Sequence, residues 1–202
     1  LTGSESAFDL STLDVSTGLT IYSSNPRDYQ IGSGDGAVQF IGDVNDDGVE
    51  DLMVTSFMAD RLTGYSDMGK AFVVFGDPSR TSASIDLANL NGSDGFKMYG
   101  DNFFDYAGIS ASKIGDINGD GIDDMIVGAT NFYQKAHTQY YDDEAYVVFG
   151  RDSGFPASLE LADLDGTDGF VILGHSGANN FALSVDSAGD FNNDGYADLL
   201  IG

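Results

Sequence analysis

The chain of 202 residues carries 33 acidic against eight basic residues, for a formal net charge of −25, with 42% hydrophobic residues and no cysteine. That apolar content suffices for a hydrophobic core and excludes a disordered tail, whereas the negative field excludes nucleic acid and anionic membranes as partners. No disulfide framework exists, and no apolar run is long enough to span a bilayer, which predicts no membrane insertion.

The acidic residues are almost all aspartates, since only Glu5, Glu50, Glu144 and Glu160 are glutamates. Aspartate is a poor helix former that suits turns and metal loops. The composition therefore predicts an all-β chain with many turns.

Short apolar segments separated by turns predict a repeated set of strands. In chain order, the predicted strands are 38–41, 52–55, 71–75, 96–99, 111–114, 125–129, 145–149, 170–173, 183–188 and 199–201. The pattern of segment 84–99 occurs again at 7–22 and 158–173, so the beginning of the chain is interpreted as the end of a repeat.

Four short strands per repeat predict an antiparallel meander, which cannot bury both faces of its sheet alone. Packing such sheets around an axis gives a β-propeller, so the predicted fold is an incomplete ring of four-stranded antiparallel blades. The predicted divisions are the outer strand of a preceding blade plus a connection at 1–36, a first blade at 37–106, a second at 107–180 and half of a third at 181–202. Because closed propellers have about 4–8 blades, ring completion is expected from sequence outside this chain or from another chain.

An aspartate-rich loop follows the first strand of each repeat, and its first residues, Asp43, Asp116 and Asp190, are 73 and 74 residues apart. We call 43–51, 116–124 and 190–198 loops 1, 2 and 3. Oxygen-bearing side chains at positions 1, 3, 5 and 9, with glycine at position 6 for a sharp turn, are typical of a calcium loop. Three calcium sites are predicted, with a backbone carbonyl at position 7, and the expected ligands are Asp43, Asn45, Asp47, Val49, Asp51, Asp116, Asn118, Asp120, Ile122, Asp124, Asp190, Asn192, Asp194, Tyr196 and Asp198.

An EF-hand or a dockerin would need helices around the loop, and an EF-hand would need glutamate at position 12, where this chain has Val54, Val127 and Ile201. Donors that are all hard oxygens argue against catalytic zinc or iron. Loops of this kind fill where calcium is about millimolar, which predicts an extracellular, secreted or cell-surface location.

Around loop 2, the segments 106–108, 115–121 and 127–129 read Tyr-Ala-Gly, Gly-Asp-Ile-Asn-Gly-Asp-Gly and Val-Gly-Ala. They resemble the FG-GAP repeat of integrin α-chain propellers and of bacterial secreted or surface proteins. The resemblance implies that each calcium loop joins strands 1 and 2 of a blade on one face. It also implies that the opposite face, formed by the other loops, contacts a protein or carbohydrate ligand.

No catalytic constellation is found in the sequence: His137 and His175 are isolated, and there is no Gly-x-Ser-x-Gly nucleophile elbow. Tyr133, Tyr140 and Tyr141 lie in a polar loop, where they suit sugar or protein recognition or else pack on a neighbouring blade. The predicted function is a non-catalytic adhesion or recognition module. The alternative is the propeller portion of a secreted enzyme whose catalytic site lies outside this chain.

Overall fold

The computed structural model describes residues 14, 16, 18–61, 67–130, 143–174 and 180–202. Within these ranges the chain is all-β, and its helical elements are the 3-10 turns Leu87–Asn89 and Leu161–Asp163. None of the described residues belongs to a helix that is long and apolar enough to cross a membrane.

The strands of the described ranges are β1 (Thr20–Tyr22), β2 (Val38–Gly42), β3 (Asp51–Ser56), β4 (Lys70–Val74), β5 (Ser84–Asp86), β6 (Gly95–Tyr99), β7 (Ser110–Gly115), β8 (Asp124–Ala129), β9 (Glu144–Val148), β10 (Ser158–Glu160), β11 (Gly169–Leu173), β12 (Val185–Gly189) and β13 (Asp198–Ile201). Each of the ten predicted strands is present, with boundaries that differ by at most two residues. The all-β prediction is confirmed.

Two sheets form blades. In the first blade β2, β3, β4 and β6 pair as successive antiparallel neighbours, and in the second blade β7, β8, β9 and β11 repeat the order. Strands β12 and β13 make an antiparallel pair that we call the third blade. The four-stranded meander predicted from the repeat is therefore confirmed in both complete blades.

The connection between the third and fourth strands of each blade contains a short strand that the sequence analysis did not predict. Strand β5 pairs in parallel with β1, and β10 pairs in parallel with β6, the outer strand of the first blade. In each case the central residue, Ile85 or Leu159, is buried while its neighbours are not. The connection thus covers an outer sheet edge that would otherwise be open to pairing with another chain.

The hydrophobic core lies between blades. One cluster joins residues of the first and second blades, among them Ile41, Met53, Met125 and Tyr146. A second cluster joins the second blade to β12 and β13. Strand β7 contacts both β2 and β12, so the first strands of the three blades are neighbours on the inner side. Each blade buries the face that it could not bury alone.

Candidate metal-binding loops

The three loops connect the first strand of a blade to the second, and each is wound around its first aspartate. The carboxylate of Asp43 accepts hydrogen bonds from the amides of Asp47 at 3.0 Å and Gly48 at 2.7 Å. Asp116 accepts from positions 5 and 6 of loop 2 at 3.1 and 2.8 Å, and Asp190 does so in loop 3 at 3.0 and 3.0 Å. The three predicted loops therefore share one local fold.

Side chains at positions 3 and 5 close the coil. In loop 1, Asn45 donates its side-chain amide to the Asp47 carboxylate at 2.8 Å, and the corresponding distances in loops 2 and 3 are 2.9 and 3.0 Å. The other oxygen of the position 5 carboxylate accepts the amide of position 7, at 2.9 Å in all three loops. Oxygen atoms from positions 1, 3 and 5 are thus held close to the loop backbone.

The position 9 carboxylate ties loops 1 and 2 to their blades. Asp51 is fully buried, and it accepts hydrogen bonds from Val44 at 2.9 Å and from Gly76, just beyond β4, at 2.8 Å. Asp124 is equally buried and repeats both contacts in the second blade, at 2.9 and 2.8 Å. In loop 3, Asp198 accepts from the amide at position 2 at 2.7 Å.

Burial, and to a lesser extent the charge gathered in the loop, raises the pKa of the two buried carboxylates, Asp51 and Asp124. Burial raises the pKa of Asp51 to about 6, against the lowering effect of its two amide donors, and the carboxylates of Asp47 and Asp43 raise it further. The pKa of Asp124 rises to about 6 for the same reasons. A cation would relieve the repulsion within either loop.

The glycine at position 6 has the backbone conformation that the loop prediction requires. Gly48, Gly121 and Gly195 have φ of +87°, +92° and +96°, in the left-handed region that side chains other than glycine rarely adopt. A Cβ at any of the three would meet no atom within 4 Å. Glycine is therefore needed at position 6 for its left-handed backbone conformation, and not because a side chain would collide with a neighbour.

The described ranges contain no group of three or more Asp, Glu, His or Cys side chains arranged to hold a metal ion. In the loops, the side-chain oxygens accept hydrogen bonds from the loop's own amides. The donor set still fits calcium, because it consists of hard oxygens and an ionised carboxylate has more lone pairs than these bonds use. The structure places the predicted ligands in three separate loops, and their binding of a metal stays a prediction.

The far end of the blades brings other loops together. The end of the β3–β4 connection pairs with the blade connection through Gly69 and Ala107, and Ala107 donates its amide to the Met68 carbonyl at 3.1 Å. Because β3 begins after loop 1 and ends in this connection, the two regions lie at opposite ends of the strand. The residues predicted to bind a partner, Tyr133, Tyr140 and Tyr141, lie outside the described residues, as do His137 and His175.

One residue that the sequence analysis missed is Asp123, at position 8 of loop 2. Its carboxylate accepts the amide of Asp43 at 3.1 Å and the ammonium of Lys113 at 3.0 Å. The contact crosses from the second blade to the first, so spacing within one repeat gave no signal for it.

Four-stranded antiparallel sheets that pack face to face, each with an aspartate loop between its first and second strands, define blades of a β-propeller. Residues 107–148 match the family model of the FG-GAP repeat. The chain is 30% identical over 116 residues to integrin alpha-5 of Xenopus laevis, a match that covers 56% of this chain and 10% of that protein. It is 26% identical over 173 residues to integrin alpha-4 of Xenopus laevis, covering 86% of this chain and 14% of that protein.

The chain thus carries an FG-GAP repeat match at residues 107–148 and is similar to these two integrin alpha chains over part of their length. Its matches span about a tenth to a seventh of the length of these integrins.

Proposed function

We propose that this chain is part of an extracellular, calcium-stabilised β-propeller module that recognises a protein or glycan ligand and has no catalytic activity. The observation that carries the proposal is the common geometry of loops 1, 2 and 3, in which the first aspartate accepts the amides of positions 5 and 6. The similarity to integrin alpha-5 and integrin alpha-4 supports an adhesion role.

Calcium in these loops has a structural role in this proposal. Each loop carries aspartates at positions 1, 5 and 9, and a bound cation would offset their repulsion in the folded state. At a free calcium concentration about a hundredfold above the dissociation constant, each independent site adds about 2.7 kcal/mol to the free energy of unfolding. Coupling between sites, and calcium bound by the unfolded acidic chain, both reduce the total.

The calcium proposal is tested by chelation and by one substitution. Removing calcium should lower the melting temperature by many degrees and increase proteolysis at the loops, and Asp120→Ala should reproduce part of this loss in calcium. Magnesium should substitute poorly, because it demands a small octahedral shell. Calorimetry on the wild-type chain in millimolar calcium should detect binding at three sites, and a melting curve indifferent to chelator would contradict the structural role.

The ligand is proposed to bind at the end of the blades away from the calcium loops. This end collects the connections between strands 2 and 3 and between blades, as the contact of Gly69 with Ala107 illustrates. Replacing Tyr133, Tyr140 and Tyr141 by alanine should reduce binding to immobilised glycans or matrix proteins. The matched control is Tyr22→Ala, at a tyrosine that is 45% exposed on the outer strand β1. Equal binding by both variants would remove the tyrosine loop from the proposal.

Ring completion by further sequence or by another chain is proposed from the outer faces of the first and third blades. Val38 and Phe40 on β2 are 58% and 64% exposed, and Leu200 on β13 is 62% exposed. The corresponding faces between adjacent blades are buried. Sedimentation of this 202-residue chain should reveal self-association that Phe40→Lys reduces. A monomer at every concentration would leave ring completion to flanking sequence.

A further inference from the structure

Asp123 stands between two of the proposed calcium loops. It is the neighbour in sequence of Asp124, the position 9 residue of loop 2, yet its contacts reach Asp43, the position 1 residue of loop 1. The Asp123 carboxylate accepts the Asp43 amide at 3.1 Å, and the Asp123 amide donates to the Asp43 carbonyl at 3.4 Å. One residue therefore holds the backbone of Asp43 on both sides of its Cα atom.

The fold leaves space for this contact. Gly42, which precedes loop 1, has φ of +84°, and a Cβ there would lie 2.0 Å from the Asp123 carboxylate oxygen. Lys113 on β7 fixes the same carboxylate from the second blade at 3.0 Å. The side chains of Lys113 and Asp123 are 41% and 28% exposed, so the link is partly shielded from solvent.

Between the second and third blades, the backbone hydrogen bond of this link is present, but the carboxylate is absent. The amide of Ala197, at position 8 of loop 3, donates to the Asp116 carbonyl at 3.1 Å, in the same relation as Asp123 to Asp43. Ala197 has no side-chain acceptor, and Ser187 occupies the position that corresponds to Lys113. The junction between loops 2 and 3 is therefore a natural control for the junction between loops 1 and 2.

We propose that Asp123 couples loops 1 and 2, so that these loops bind calcium as a cooperative pair while loop 3 binds independently. The inference rests on the proposed calcium binding. Asp123 acts as a positioning residue: its charged hydrogen bond fixes the backbone of Asp43, while its own backbone continues into Asp124. Calcium in either loop orders one end of this link, which lowers the cost of ordering the other end. Such coupling is reciprocal between the two sites.

The amides of Gly48, Gly121 and Gly195 allow each loop to be followed separately, because each donates to the position 1 carboxylate of its own loop. In a calcium titration of the chain monitored by ¹H–¹⁵N NMR, Gly48 and Gly121 should respond together and Gly195 separately. Asp123→Ala should raise the dissociation constant of loop 1 about tenfold, as expected for loss of a charge-assisted hydrogen bond, and leave loop 3 unchanged. Asp123→Asn, which keeps the acceptor, should retain most of the affinity.

Reciprocity supplies the decisive comparison. Asp47→Ala disables loop 1 and should weaken calcium at loop 2 about five- to tenfold in the wild-type background, with no such effect once Asp123 is alanine. Transplanting the pair as Ser187→Lys with Ala197→Asp should couple loops 2 and 3. If the wild-type chain binds calcium and Asp123→Ala leaves the dissociation constant of loop 1 unchanged, the coupling is overturned. A wild-type chain whose three glycine amides ignore calcium would instead overturn the proposed function.

Discussion

Arg61 and Glu160 join the two complete blades through a pair of hydrogen bonds, with nitrogen to oxygen distances of 2.6 and 2.7 Å. Arg61 lies in the connection after β3 of the first blade, and Glu160 ends the short strand β10 that the second blade adds to β6. The guanidinium also lies 5.2 Å from the ring centroid of Tyr99, which pairs with Glu160 in the β10–β6 register. The pair fastens the β3–β4 connection of the first blade to the short strand that the second blade adds to the outer edge of the first.

The contribution of this pair to stability should be small. The side chains of Arg61 and Glu160 are 41% and 31% exposed, so solvent screens their attraction. A double-mutant cycle in urea with Arg61→Ala and Glu160→Gln should give a coupling energy of about 0.5–1 kcal/mol that falls with added salt. A coupling above about 2 kcal/mol, independent of salt, would show that the contact is far better shielded than its exposure indicates.

Phe155 should contribute much more, because its ring packs within the core between the first and second blades. It stacks on Phe96 with ring centroids 4.2 Å apart and 4° between the planes, and the Arg151 guanidinium lies 4.5 Å from the centroid of the Phe155 ring. Phe155→Ala should lower the free energy of unfolding by about 3–5 kcal/mol, and Phe155→Leu by about 1 kcal/mol. The control Leu173→Ala, at a side chain that is 63% exposed, should change it by less than about 0.5 kcal/mol. Similar losses for Phe155→Ala and Leu173→Ala in urea unfolding would contradict the core assignment.

Gly121, in loop 2, and Gly42, just before loop 1, should respond differently to substitution by alanine. Gly121 needs only its left-handed backbone, so Gly121→Ala should cost about 1–2 kcal/mol in chelator. Gly42 has a similar φ of +84°, but its Cβ would also collide with the Asp123 carboxylate. Gly42→Ala should therefore cost more, and Asp123→Ala in the same chain should recover part of the difference. Equal losses in urea unfolding would show that the collision relaxes freely.

The strands and loops could be predicted from sequence because their signals are local. Apolar runs such as 125–129 mark a strand, and the glycine at position 6 marks a left-handed turn that the structure confirms at Gly121. Both depend on neighbouring residues within one repeat. Comparison of the repeats then predicted the antiparallel order of the strands within each blade.

Contacts between repeats could not be predicted in the same way. The parallel pairing of Leu159 with Met98 joins residues of different blades, and so does the contact of Asp123 with Asp43. The polar-apolar-polar alternation of segment 158–160 was a usable sequence signal for a strand, although not for its partner. Lys113 and Asp123 showed opposite charges ten residues apart, which says nothing about the first blade until the sheets are stacked.

A buried carboxyl at the far end of the blades should make stability depend on pH. Asp105 is 2% exposed and lies 3.4 Å from the hydroxyl of Tyr146, which donates a short hydrogen bond to the Glu144 carboxylate. Burial raises the pKa of Asp105 to about 7, with further increases from Glu144 and Asp101, against amide hydrogen bonds that lower it. The folded state therefore favours the protonated carboxyl.

An aspartate whose pKa is raised by folding gives its full stabilisation below its unfolded pKa of about 3.9, and loses it as the pH rises towards the folded value. For Asp105 this window extends from about pH 4 to pH 7. Asp105→Asn removes the titration, so its free energy of unfolding relative to wild type should increase across the window by on the order of 2–4 kcal/mol. Urea unfolding in chelator measures the difference, in which the titration of Asp51 and Asp124 cancels.

Asp165→Asn is the control, because hydrogen bonds from Thr167 lower the pKa of that exposed carboxyl. The free energy of unfolding of this variant relative to wild type should not increase across the window. Parallel stability curves for wild type and Asp105→Asn would mean that Asp105 is ionised in the folded chain throughout this range.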